Sequence, residues 1–567
     1  MCGFLGTLNF TPSHTNWNNA ASTINYRGTL WGFLDFKIGS LLSIRLPRNG
    51  NKNRPQPIKS SKGNILAFNG EIYNTTELIE KLKLKKSSDY IDAEIALLWL
   101  DKVGAKGIND FKGEFALTYI CPKKNILVLA RDSFGSKPLY WSKYGDKIAF
   151  GSSARGITLL INNQLFNNTQ SARDFLWYGI SPNSTSFENV QPVPPGKIIV
   201  VTNGKIENKD ITLQNHNSEN ILYSLKEAIK NRTSVSKVGL SYSEGLDSSL
   251  IKEILPFKNN CYKITYKKEP QNSNSIKLLI TKKDVIDNIT IFSQYAERPI
   301  TSISGVGMML LNKKAREDGM EIMLSGEGAD ELFLGYEHYF LKSTGHPIIV
   351  SRNNQRSIIE SIFNIPDYPN SKAINDLLMT ANPNDWLYFD RKIRLPEHLC
   401  LMNSDLPTLL NKIEARVPFS DLVAFQEKIT TLSKPKEKLW ELAKTFSLNI
   451  PKKKIGLHVP CSLIGEKWLL EAAHQIDSGK YYLHFFDTSI STVDKLKKFL
   501  NLKPELSSDL FNHLNEIVAR WIIGIWSFNE TLKINSEKLT DLFNKQFYSK
   551  IQMKDNFLIA NIITAKN

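Results

Sequence analysis

Leu324-Ser325-Gly326-Glu327-Gly328-Ala329-Asp330-Glu331-Leu332-Phe333-Leu334-Gly335-Tyr336-Glu337-His338-Tyr339 continues a mostly apolar run, Met320–Leu324, that reads as a buried strand. Ser325, Gly326 and Gly328 make a tight turn that lets a ligand approach backbone N–H groups. Glu327, Asp330 and Glu331 put three carboxylates within five residues. Backbone donors beside metal-binding carboxylates suit a nucleotide carrying Mg²⁺. Alone, the stretch reads equally well as a Gly-rich turn whose acids stabilise a helix N-terminus. A second loop tips the balance: Ser243-Glu244-Gly245-Leu246-Asp247-Ser248-Ser249, after the strand-like Val238–Ser241. Two such loops hold the two ends of one ATP.

The chain has 567 residues, enough for two or three domains, and its 41% apolar content is that of a soluble globular protein. No apolar run approaches the ~20 residues needed to span a bilayer. The N-terminus lacks a basic segment followed by an apolar core, so no secretory signal is expected. Five widely spaced cysteines form neither a disulfide framework nor a C-x-x-C metal site, which fits a reducing cytoplasm. The net charge of +16 raises nucleic-acid binding as a possibility that rests on charge alone. The lysines are dispersed in short runs such as Lys81–Lys86, Lys434–Lys438 and Lys452–Lys454, and no RNP-type or zinc-finger signature accompanies them. Most of this charge is expected on solvated surface, with no nucleic-acid and no membrane partner.

Residues 1–205 carry short strand-like runs at Ile65–Phe68, Phe115–Ile120, Ile126–Ala130, Lys147–Phe150 and Lys197–Val201, with a helix-like Ile91–Val103 between them. Stacked antiparallel sheets with helices outside are expected. Asn215–Asn220 is polar and reads as a linker. From about Ile221 helical periodicity dominates, with strands at Val238–Ser241, Cys261–Tyr266 and Glu321–Leu324. Strands alternating with helices imply a parallel α/β sheet over 220–530, with ligands at the strand carboxyl ends. Residues after about 350 read as mostly helical, including an amphipathic Phe511–Phe528, and 531–567 as a Lys-rich tail.

At the other end of the chain, Met1-Cys2-Gly3 makes Cys2 a candidate nucleophile. Removal of Met1 would give Cys2 a free α-amino group as a built-in base. Asn69-Gly70-Glu71-Ile72-Tyr73-Asn74 is a strand-to-turn segment whose Asn side chain and Gly N–H can receive an oxyanion. Arg45 can pair with a substrate carboxylate and Asp92 with a substrate ammonium. This region, with Arg131-Asp132-Ser133-Phe134-Gly135-Ser136-Lys137-Pro138-Leu139-Tyr140 and the turn Val193-Pro194-Pro195-Gly196, resembles a class II (N-terminal nucleophile) glutaminase domain. The resemblance implies an Ntn-hydrolase αββα sandwich. It makes Cys2 the nucleophile, Asn69 and Gly70 the oxyanion hole, and Arg45, Glu71 and Asp92 the glutamine clamps. Arg45 is preferred to Arg48 because Gln56-Pro57 then falls where the family has Gln-Pro. Tyr26-Arg27-Gly28-Thr29-Leu30 departs from the family's usual His-Arg-Gly-Pro-Asp.

The loop at Ser243 resembles the pyrophosphate loop of N-type ATP pyrophosphatases, usually Ser-Gly-Gly-x-Asp-Ser. With the Ser-Gly-Glu-Gly-Ala-Asp-Glu run it resembles the synthetase domain of glutamine-hydrolysing asparagine synthetases. The resemblance implies ATP bound around Ser241, Ser243, Gly245, Asp247, Ser248, Ile264, Ser325 and Gly326, with Mg²⁺ shared by Asp247 and Asp330. It makes Glu327 a support for acyl-adenylate formation and Lys454 the lysine that stabilises the adenylation transition state. Glu414-Ala415-Arg416-Val417-Pro418-Phe419-Ser420-Asp421 resembles a segment that shapes the active site, and Asp405-Leu406 stands where the family has Asp-Arg. Implied substrates are glutamine, ATP and a carboxylate acceptor, with an internal ammonia tunnel and a homodimer as the family's usual state. Aspartate is the expected acceptor; a sugar uronate, a natural-product precursor, or a glutaminase with a weakened ATP site stay open. Glu244 replaces the first loop Gly, where it should repel phosphate, and the segment 267–294 lacks the helix and His-containing strand the family carries there.

Overall fold

Strict alternation along short strands builds the first half, because period-two patterning gives each strand two different apolar faces. The structure is a computed structural model. It describes residues 2–532 apart from 49, 86, 88, 163–166, 213–219, 235–236, 258–259, 267–274, 341–342, 364, 366, 426–433, 451–458, 479–490 and 504–505, together with 552–554 and 557–559. Twelve strands of this half are described: β1 (Cys2–Leu8), β2 (Leu30–Phe36), β3 (Gly39–Arg45), β4 (Ile58–Lys59), β5 (Ile65–Ile72), β6 (Gly113–Cys121), β7 (Ile126–Arg131), β8 (Tyr140–Tyr144), β9 (Lys147–Gly151), β10 (Gln191–Pro192), β11 (Lys197–Thr202) and β12 (Lys205–Asp210). They form two six-stranded sheets, β10-β8-β9-β1-β3-β2 and β12-β11-β7-β6-β5-β4. Phe4, Leu8, Ile65, Ala67, Leu127 and Leu129 fill the space between them. The alternate residues point outward: Leu5, Trp31 and Phe33 pack under helices His14–Ser22 and Ala154–Asn162. Leu66 and Phe68 pack under Thr75–Leu82 and Asp92–Val103. The half is an αββα sandwich, and β12 carries it five residues past the expected boundary at 205.

The second half has a five-stranded parallel sheet in the order β15-β14-β13-β16-β17. Its strands are β13 (Val238–Ser241), β14 (Cys261–Thr265), β15 (Ile276–Leu279), β16 (Ile322–Leu324) and β17 (Glu414–Arg416). The missing strand expected between 267 and 294 is therefore present as β15, paired parallel to β14, although it contains no histidine. It is an edge strand of four residues, too short to announce itself by periodicity. A helix, Lys282–Ala296, follows β15 within the segment expected to lack one, and residues 267–274 lie outside the described residues. The expected helix near the C-terminus runs Ser508–Leu532, and its Phe528 and Leu532 pack into the first half's outer core.

Between the halves lies a set of buried ion pairs. Arg27 Nη2 meets Asp405 Oδ2 at 2.8 Å with both side chains 1% exposed. Arg131 meets Glu397 at 2.9 Å, and Glu397 also takes Arg298 at 3.1 Å. Glu114 takes Arg232 at 2.9 Å, and Arg416 lies 3.4 Å from Glu71. The segments Tyr26–Leu30 and Asp405-Leu406 thus meet through Arg27 and Asp405, two residues in them that keep the resembled pattern. Asp405→Ala should lower stability by about 3–5 kcal/mol, because it strands the Arg27 guanidinium in the interior. The double variant Arg27→Met/Asp405→Leu should recover most of that loss in urea denaturation.

Candidate active site

Cys2 opens β1 directly across from Arg45 on β3. Its backbone N–H donates to Asn69 Oδ1 at 3.0 Å, and Gln56 Nε2 donates to its Sγ at 3.5 Å. Gln56 is itself held by Phe68 N–H donating to its Oε1 at 2.7 Å. Asn69 is fully buried, and its Nδ2 has no acceptor among the described residues. A buried donor left unpaired is disfavoured by about 1–3 kcal/mol, so this amide is primed for an incoming acceptor. Gly70 follows at φ +143°, where an added Cβ would lie 1.9 Å from the Glu114 carbonyl oxygen. Only glycine fits there.

Asp92 Oδ2 accepts from Ile72 N–H at 2.8 Å. Burial pushes the Glu71 and Asp92 carboxyls up, and the Asp92 charge raises Glu71 further. Burial likewise raises the Cys2 thiol, against the pull of the chain's amino terminus and of Arg45. Arg45 Nη1 donates to the carbonyls of Asn51 (2.7 Å) and Arg54 (2.9 Å), which fastens that loop over the site. Arg48 turns the other way, donating to Lys412 O in the second half. The structure therefore gathers Cys2, Arg45, Asn69, Gly70, Glu71 and Asp92 into one place. Arg416, from the Glu414–Asp421 segment expected to shape the active site, reaches Glu71 from β17 at 3.4 Å.

In the second half the loop after β13 is cross-braced by its own serines. Ser243 Oγ lies 3.1 Å from Ser248 Oγ, and Gly245 N–H donates to Ser243 Oγ at 3.3 Å. Gly245 caps the helix Leu246–Ile254. Ser241 Oγ is buried with no partner among the described residues. The loop after β16 presses on it: a Cβ on Gly326 would meet Asp247 Cβ at 3.0 Å. Ile264 is buried on the neighbouring strand, and Ser325 N–H donates to Arg416 O at 3.2 Å.

Asp247 and Asp330 converge on one cation, the ammonium of Lys436, at 2.5 and 2.8 Å. Lys436 is buried, which corrects the reading of the Lys434–Lys438 run as solvated charge. No local pattern marks it, since its partners are far away in sequence. Two carboxylates that share a buried ammonium also suit a divalent cation, so the residues fit Mg²⁺. Glu244 takes φ +61°, and its Oε2 meets Lys263 Nζ at 2.7 Å. The expected bare carboxylate facing phosphate is instead neutralised by a lysine of β14. Burial among the carboxylates of Glu331 and Asp330 raises Glu327 to about 8. Lys454 lies outside the described residues.

Comparison with known proteins assigns the two halves. Residues 1–212 match the glutamine amidotransferase domain family and 220–425 match asparagine synthase. Amidase chry2 of Gibberella zeae is 25% identical over 54% of this chain and 51% of its own length. Asparagine synthetase [glutamine-hydrolyzing] 1 of Bacillus subtilis is 25% identical over 60% of this chain and 59% of its own. Putative asparagine synthetase [glutamine-hydrolyzing] 2 of Methanocaldococcus jannaschii is 24% identical over 59% and 76%. The match thus spans little more than half the length of the first two relatives. The solved B. subtilis glutamine phosphoribosylpyrophosphate amidotransferase, 11% identical over 57% of this chain and 82% of its own, superposes with a TM-score of 0.29, too low to carry an argument. With both domain families matched in order over two separate sites, the chain belongs to the glutamine-hydrolysing asparagine synthetase family.

Proposed function

We propose that the protein is a glutamine-dependent, ATP-consuming amidotransferase that converts aspartate to asparagine. The observation that carries this is Asn69, whose Oδ1 holds the Cys2 nitrogen while its Nδ2 awaits an acceptor. Cys2 thiolate attacks the glutamine side-chain carbonyl, and the oxyanion is received by Asn69 Nδ2 and the Gly70 N–H. Arg45 holds the substrate carboxylate, and Glu71 and Asp92 its ammonium. Ammonia leaves, and water releases glutamate from the thioester. In the second half ATP occupies the loops at Ser241, Ser243, Gly245, Asp247, Ser248, Ile264, Ser325 and Gly326. The acceptor carboxylate attacks its α-phosphate, pyrophosphate departs, and ammonia displaces AMP from the acyl-adenylate.

Asp247 and Asp330 would hold Mg²⁺, which neutralises phosphate charge when bound. Lys436, whose ammonium those carboxylates hold, would then be free to meet phosphate charge. Glu327 assists adenylation, and Lys454 stabilises its transition state. One alternative is the same chemistry on another carboxylate acceptor, favoured by the similarity to the amidase chry2 of Gibberella zeae. The Glu244–Lys263 pair speaks against a disabled ATP site, since it removes the repulsive charge.

Pyrophosphate release with glutamine, Mg²⁺ and ATP, measured with and without aspartate, decides the acceptor. Aspartate-dependent release with asparagine formed is expected; glutamine hydrolysis without it moves the acceptor to another carboxylate. Asn69→Ala should lower glutamine-dependent turnover ~10²–10³-fold while leaving ammonia-dependent turnover intact. Glu244→Gly should not raise ATP turnover, and a large gain would favour a weakened ATP site.

Glu327 also gives a pH signature. Its carboxyl rises from an ordinary 4.5 to about 8 in the fold. Between those values the native protein keeps a proton that the unfolded chain releases, so stability falls as pH rises across that window. Urea denaturation at about pH 5 and about pH 8 should show Glu327→Gln losing less stability than the parent.

A further inference from the structure

Asp390 begins a π-helix, Asp390–Asp405, and is completely buried. Its Oδ2 lies 3.2 Å from His338 Nε2 and 3.3 Å from His346 Nε2. Tyr339 OH donates to the same oxygen at 2.6 Å, and Arg394 takes Oδ1 at 3.0 Å. Both imidazoles bring the same ring nitrogen to the same carboxylate oxygen, and the three ligand atoms all lie within 4.8 Å of one another.

We propose that His338, His346 and Asp390 bind a zinc ion. Zinc holds imidazole nitrogen and carboxylate oxygen at about 2.0–2.2 Å, which in a tetrahedron sets neighbouring ligand atoms about 3.3–3.4 Å apart. The two nitrogen-to-oxygen separations, 3.2 and 3.3 Å, match that edge. Two imidazoles select zinc over Mg²⁺, which takes oxygen ligands, so this site is distinct in chemistry from Asp247 and Asp330. Arg394 and Tyr339 orient the carboxylate as outer partners. His346 is buried and His338 is 11% exposed, so the ion would sit largely shielded from solvent.

The ion would tie three separate pieces of chain. His338 sits in the turn Glu337–Phe340 that follows the second nucleotide loop. His346 directly precedes the helix Pro347–Phe363, and Asp390 starts the π-helix whose last residue, Asp405, grips Arg27 of the first half. The site is therefore structural: it fixes the exit of the nucleotide loop against the element that crosses to the glutaminase domain. It requires no particular acceptor and stands whether or not the proposed activity is found.

The test uses the full-length protein, purified from zinc-supplemented medium and dialysed against metal-free buffer. Elemental analysis should find about one zinc per chain. His338→Ala, at the most exposed ligand, should weaken zinc binding at least tenfold in chelator competition, and His346→Ala should abolish it. Asp247→Asn should retain the ion. If the His346 variant fails to fold, Co²⁺ added to the apo parent gives a second measurement: a tetrahedral d–d absorption band that His338→Ala removes. No zinc in the parent and no Co²⁺ band would overturn the proposal, as would zinc that survives both histidine substitutions.

Discussion

The Glu114 carboxylate is the point on which the two halves turn. It is fully buried on β6 and accepts from Arg232 Nε (2.9 Å), Val417 N–H (2.9 Å) and Tyr73 OH (3.2 Å), with Lys137 Nζ 3.4 Å away. Arg232 and Val417 belong to the synthetase half; Tyr73 and Lys137 to the glutaminase half. Isolated in the interior such a charge would be intolerable, and removing a single partner of a buried pair is disfavoured by about 3–5 kcal/mol. The network therefore locks the relative position of the sheets. Glu114 is also the register partner of Glu71, one residue beyond Gly70 on β5. Docking the halves and placing the Asn69-Gly70 strand are consequently coupled.

From Glu71 a short path leads into the other site. Arg416 lies 3.4 Å from Glu71 and donates from its Nε to Glu414 at 2.8 Å, while its carbonyl accepts from Ser325 N–H at 3.2 Å. One three-residue strand, β17, thus carries the side chain that touches Glu71 and the backbone that anchors the loop after β16. Arg27, Arg131, Arg232 and Arg416 are each buried and paired with an acid.

What could be read from sequence was what is local. A strand, a Gly/Ser turn and an acidic helix start lie within a dozen residues, so both nucleotide loops were legible, as were Asn69-Gly70 and Cys2. Partners far apart in sequence were not. Arg27 finds Asp405 378 residues away and Lys436 finds Asp247 189 residues away. Lys436 looked like surface because its neighbours are lysines; only the fold supplies its acids. The first sheet's β1 was invisible for another reason. All seven of its residues are buried, so no polar alternation marks it as a strand.

The same distant pairs explain why departures from a family pattern need not disable a site. A glutamate at φ +61° carries backbone strain that glycine would not, of order 1 kcal/mol. Its ion pair with Lys263, at 9% and 26% side-chain exposure, is shielded enough to offset that strain. Reverting Glu244 to glycine would relax the turn and remove the ion pair to Lys263 at the same time. Lys436 extends the logic to the metal carboxylates. Asp247 and Asp330 would repel each other if left bare, and the shared ammonium holds both loops in place before any ligand arrives. A divalent cation held by the same two carboxylates, as proposed, would exchange one positive charge for another and free the lysine. The pairing that stabilises the ligand-free protein would then be the one that opens for the proposed chemistry, which places Lys436 between fold and function.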